Sequence, residues 1–142
     1  MRRVKSQKYI SYFTYEVFVS DAYGSLRASS KEILLLLYFE LEYSPQHKRS
    51  QKYTPRIVNR NDIKLPYKDI ERVRGYSKGT IWKALKELLE KGFIKIIRAG
   101  GGAKGDTSVY GITEDWRTWK PGQVVRELKI KGQIGWQKKK AS

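Results

Sequence analysis

The sequence predicts an α+β domain, in which a helical core is followed by a small sheet. Three observations predict it. Ile33, Leu34, Leu35, Leu36, Leu37, Tyr38, Phe39 and Leu41 make one segment apolar on nearly every helical face. Lys78–Lys91 carries a stripe at Ile81, Ala84, Leu85, Leu88 and Leu89, with the i, i+3/i+4, i+7 spacing of a core-facing side. Directly after it, Phe93, Ile94, Ile96 and Ile97 read as a strand, and Val109–Ile112 can return beside them.

Composition narrows the partners. Thirty Lys and Arg face fourteen Asp and Glu, a formal charge of +16. With 39% hydrophobic residues, the chain is expected to fold rather than remain a disordered polycation. Such an excess favours nucleic acid first and an anionic membrane surface second. There is no cysteine, hence no disulfide framework or thiolate zinc site. The longest apolar run, Ile33–Phe39, is too short to cross a bilayer. The basic N-terminus lacks the apolar stretch of a signal peptide, so the expected location is cytoplasmic, at the nucleoid.

Residues 1–28 read as an arm and a strand. Arg2, Arg3, Lys5 and Lys8 give residues 1–8 a net +4. Tyr9–Val19 has one parity nearly all apolar (Tyr9, Phe13, Tyr15, Val17, Val19), which predicts a strand. Asp21–Ala28, with Gly24, reads as a turn. Ser29-Ser-Lys-Glu32 has the spacing of a capping box and predicts a buried helix from Ser30 to about Tyr43. An insertion at 44–62 follows. It contains Pro45 and Pro55, and from Lys48 to Lys64 six basic residues stand against one acid, which suits a phosphate-contacting arm.

Ile63–Pro66 predicts a short strand that Pro66 ends. Tyr67–Arg74 predicts a helix with Ile70 and Val73 inward, closed by a left-handed Gly75. Ser77 is placed to cap the helix Lys78–Lys91, which Gly92 stops. Outward on that helix lie Lys78, Gly79, Trp82, Lys83 and Lys86. Side chains here would reach base edges and phosphates in a major groove, with Ser77, Arg72 and Arg74 beside them. The glycine-rich tip between the last two strands, 100–105, allows close approach to a backbone, and Arg98 and Lys104 supply charge there. From Lys68 to Lys104 there are ten basic residues and four acids.

Helix, turn, helix, then basic hairpin is the order of a winged helix-turn-helix. Ser29 to Trp119 resembles the winged-helix domain of replication initiators and replisome organisers of Gram-positive plasmids and phages. The resemblance rests on the Ser29-x-x-Glu32 helix start, on Ser77-Lys-Gly-Thr-Ile-Trp-Lys-Ala-Leu-Lys-Glu-Leu, on Glu90-Lys-Gly-Phe-Ile, and on the glycine-rich hairpin closing on Tyr110-Gly-Ile-Thr and Trp116. It implies double-stranded DNA as ligand. Lys78, Gly79, Trp82 and Lys83 would lie on the reading face, and Arg98 and Lys104 on the wing. Replication initiation and transcriptional control are both open, with replication or transcription proteins as partners. A homodimer is expected because one recognition helix offers few base contacts. A protein-interaction module and an RNA or single-strand binder are the alternatives.

No enzyme is expected. His47 is the only histidine, so a His-based metal centre cannot be built. Gly100 to Thr107 echoes a phosphate loop, but Asp106 stands where the lysine is needed. Asp62, Asp69 and Glu71 read as solvated charges rather than a Mg²⁺ pair. No cofactor is implied, and no membrane partner. Residues 120–142 form an extension in which Leu128, Ile130, Ile134 and Trp136 alternate with polar positions, a strand pattern. The tail Lys138-Lys-Lys140 follows.

Overall fold

Two serine and threonine caps decide the start of the chain. In the computed structural model, which describes residues 13–44, 56–100 and 107–127, Tyr15–Val19 is helical (α1), not the strand its alternation predicts. The Thr14 hydroxyl accepts from the Val17 amide at 3.4 Å, and the Ser20 hydroxyl accepts from the Tyr23 amide at 3.1 Å. Each satisfies an amide that a helix start leaves unpaired. The second cap opens a further helical turn, α2 (Asp21–Gly24), inside the expected turn. Residues 9–12 of the expected strand, and the basic arm, lie outside the described residues.

The apolar helix is α3 (Ala28–Phe39). It starts earlier and ends sooner than the sequence predicts, and its cap is not the local Ser29–Glu32 box. Glu87, almost sixty residues on, takes that role. Its Oε1 accepts from the Arg27 amide at 3.2 Å and from the buried Ser30 hydroxyl at 2.6 Å. Glu32 is thereby left for another use. Ile33, Leu34, Leu37 and Tyr38 are buried, whereas Phe39 is exposed.

Beyond α3 the chain makes an antiparallel bridge between Tyr43 and Ile57. The Ser44 amide donates to the Arg56 carbonyl and the Val58 amide to the Glu42 carbonyl, both at 2.8 Å. Asn59 extends this stem with its side chain. Its Oδ1 accepts from the Glu42 amide at 2.7 Å and its Nδ2 donates to the Glu40 carbonyl at 3.0 Å. The body of the basic insertion, 45–55, lies outside the described residues.

The remaining elements are β1 (Ile63–Lys64), α4 (Tyr67–Arg74), α5 (Lys78–Glu90), β2 (Ile94–Arg98), β3 (Val109–Ile112) and a 3₁₀ turn, Asp115–Thr118. Together they make a mixed α+β fold, with five α-helices and one antiparallel sheet of order β1-β3-β2 among the described residues. Ile63 lies opposite Tyr110, and Ile94 opposite Ile112. The core lies between α3, α5 and the inner sheet face, built from Ile33, Leu34, Leu37, Ile81, Leu85, Leu88, Ile94 and Tyr110. The helix stripe Ile81, Ala84, Leu85, Leu88 and Leu89 is fully inward. Val73 is not: it is exposed, leaving Ile70 to anchor α4.

Gly92 joins α5 to the sheet with φ +87°, and a Cβ there would stand 2.8 Å from backbone atoms of Asp115 and Trp116. That close approach lets Trp116 stack on Phe93, with ring centroids 6.0 Å apart. No helix among the described residues is long and apolar enough to cross a membrane.

Candidate nucleic-acid interface

Two helices and a three-residue turn position the candidate residues. Gly75 ends α4 in the left-handed region at φ 73°, and Ser77 restarts the chain as the N-cap of α5, its hydroxyl accepting from the Thr80 amide at 3.2 Å. Between them, the Tyr76 hydroxyl donates to Glu32 Oε1 at 3.1 Å, and the Arg74 guanidinium pairs with the same oxygen. The Glu32 of α3 thus holds the turn from outside. Hydrogen bonds from Arg74 and then Tyr76 hold its carboxyl below the usual carboxylate range.

The predicted cations divide into two groups. Arg72 is tied to Asp69 at 3.2 Å, Arg74 to Glu32, and Lys86 to Glu90 at 2.6 Å. Lys78 and Lys83 are exposed and have no ion-pair partner among the described residues. Lys83 stands on the side of α5 opposite the Leu85–Leu88 core face, whereas Lys78, seven residues before Leu85, is exposed in the first turn at the end of that face. Gly79 lies between them. Its φ is not positive, and a Cβ added there would meet only the Ser77 hydroxyl, at an ordinary 3.9 Å. Nothing within the described residues requires glycine at this position.

Trp82 differs from its expected role. It is half-buried and packs against the core rather than standing free, with its indole nitrogen buried. Only part of the ring remains for a ligand. Arg98, at the end of β2, is exposed, and one of its guanidinium nitrogens donates to the Thr107 carbonyl at 2.9 Å across the mouth of the hairpin. Gly100 is held there too, its amide donating to the buried Ser108 hydroxyl at 2.8 Å. Lys104 and most of the glycine-rich tip lie outside the described residues, as does the extension from Leu128 onward.

The sequence reading passed over Lys68 and Lys95. Lys68 is exposed in the first turn of α4, and Lys95 is half-exposed on β2 opposite Gly111. Lys95 alternates with the inward Ile94 and Ile96, and that parity was the available signal. Among the described residues no group of three or more His, Cys, Asp or Glu is placed to hold a metal ion. No protein-family model, curated protein or solved structure matches this chain.

Proposed function

We propose that the protein is a winged helix-turn-helix that binds double-stranded DNA, with α5 in the major groove and the β2–β3 hairpin as the wing against the backbone. The observation that carries this reading is the N-terminal half of α5, where Lys78 and Lys83 are exposed and no acid among the described residues neutralises them. The order of elements supports it. So does the rigid turn clamped by Glu32, since a reading helix discriminates bases only if its pose is fixed. The biological setting proposed is replication initiation or transcriptional control, in the cytoplasm.

Fluorescence anisotropy of a labelled duplex, titrated at several salt concentrations, tests the reading. Six or more phosphate contacts make affinity fall about a thousandfold or more between roughly 50 and 200 mM salt. Absence of binding at low salt overturns it. In a selected site, Lys83→Ala is expected to cost roughly 1–3 kcal/mol and to relax base preference, whereas Arg98→Ala weakens all sequences alike. Unchanged preference in Lys83→Ala removes α5 as the reading helix.

A second reading, a protein-docking module, rests on a shallow groove on the outer side of α3 and α4, lined by Leu35, Leu36, Phe39 and Val73 between Glu32 and Arg74. It predicts a salt-insensitive complex with a protein and negligible affinity for duplex. Competition with single strands and RNA separates the remaining alternative.

A further inference from the structure

On this strongly basic chain, one face has the opposite character. Tyr15, Phe18 and Val19 of α1 are 78%, 60% and 52% exposed. Their spacing, i, i+3 and i+4, puts them on one stripe of the helix. Phe18 continues into the Tyr23 ring, 5.9 Å away. Between Lys8 and Arg27 the only charged side chains are Glu16 and Asp21, both exposed. Glu16, which Arg117 reaches, and Asp21 border the stripe, with Lys31 over the Tyr23 ring; an apolar stripe beside exposed carboxylates suits an apolar, cationic segment.

The chain itself contains such a segment. Leu128, Ile130, Ile134 and Trp136 alternate with Lys129 and Lys131, and no acid follows Glu127. The end of the described chain is linked to α1 through the 3₁₀ turn. The Val125 amide donates to the Glu90 carbonyl at 2.7 Å, and Arg126 pairs with Asp115 of the 3₁₀ turn. Arg117, two residues along that turn, reaches Glu16 of α1 at 3.0 Å. The 3₁₀ turn also packs on α2. Nine residues extended reach about 30 Å.

We propose that residues 128–136 dock on the Tyr15–Phe18–Val19 face of their own chain, with Lys129 and Lys131 facing the Glu16–Asp21 rim. The α1–α2 pair is then the seat of the C-terminal extension, and the extension is part of the fold rather than a free DNA-binding tail.

The absence of native cysteine makes the test clean. A nitroxide is attached to the full-length Gln137→Cys protein, and amide signals of the isotope-labelled chain are recorded. Loss of the signals of Val17 to Ala22, persisting when the labelled chain is diluted into unlabelled protein, is expected. Phe18→Lys, a change at a mostly exposed side chain, is expected to restore those signals without altering the thermal unfolding of the domain. Unbroadened α1–α2 signals in the spin-labelled protein overturn the proposal. So does broadening seen only when isotope-labelled, nitroxide-free chains are mixed with nitroxide-bearing ones, which assigns the seat to a second copy.

Discussion

Gly79 and Gly92 are both glycines at the ends of α5, but they serve opposite purposes. At Gly92 the fold needs the missing side chain: φ is +87° and Asp115 and Trp116 backbone atoms stand where a Cβ would be. Gly92→Ala is expected to destabilise by roughly 2–4 kcal/mol, at the large end of single substitutions, read from denaturant unfolding. At Gly79 the space is open and the backbone helical, so alanine is expected to stabilise the domain by roughly 0.5–1 kcal/mol. If α5 approaches a DNA backbone at this turn, the same substitution weakens duplex binding. Unfolding and anisotropy measured on one Gly79→Ala preparation check both signs. A variant that gains stability and keeps full affinity removes Gly79 from the contact surface.

At the scale of elements, Glu87 joins α5 to the start of α3. Burial alone would raise its carboxyl pKa, but hydrogen bonds from Ser30, Lys91 and the Arg27 amide outweigh it and hold it below the usual carboxylate range. A depressed folded-state pKa contributes stability that is complete above the ordinary carboxylate value, about 4.3, and is lost as pH falls through the folded value. Acid unfolding of the wild type should therefore include a component below about pH 4 that Glu87→Gln removes. Glu87→Ala leaves the buried Ser30 hydroxyl without its acceptor and is expected to cost roughly 1–3 kcal/mol. This contact also explains what the sequence could and could not convey. Ser77, Gly75 and the Ile81–Leu89 stripe act within a few residues of one another, so α4 and α5 were legible almost to the residue. Ser30 and Glu87 are far apart in the chain, and a cap supplied across the fold has no local signature; the nearby Ser29-x-x-Glu32 pattern offered a false one. In α1, alternation and helical spacing are both compatible with five residues, and the hydroxyls of Thr14 and Ser20 decided between them.

For the whole molecule, formal charge overstates what a polyanion would meet. Arg72, Arg74 and Lys86 already have carboxylate partners, as do Lys91 with Glu87 and Arg117 with Glu114 and Glu16. Only cations that displace ions from the duplex add to the salt slope, at about 0.9 per phosphate contacted. The measured slope is expected to lie well below one set by a charge of +16, and to move little on Arg72→Ala but by about one contact on Lys78→Ala. Equal changes for the two variants would mean that the Arg72–Asp69 pair opens on binding. The fold accounts for this division, since the residues that brace α4 and α5 are themselves cations, while Lys78 and Lys83 in the first half of α5, Lys68 on α4 and Lys95 on β2 have no ion-pair partner among the described residues.

The stem at Tyr43 and Ile57 has a consequence for chain length. Its two backbone bonds and the Asn59 clamp close the chain at Ser44 and Arg56, so the two ends are held together whatever lies between them. Lengthening a loop whose ends are already joined adds little entropic cost, about 0.6 kcal/mol per doubling. The stem is therefore a hinge of tolerance: a change of length between Ser44 and Arg56 is expected to leave the Tyr43–Ile57 pairing in place.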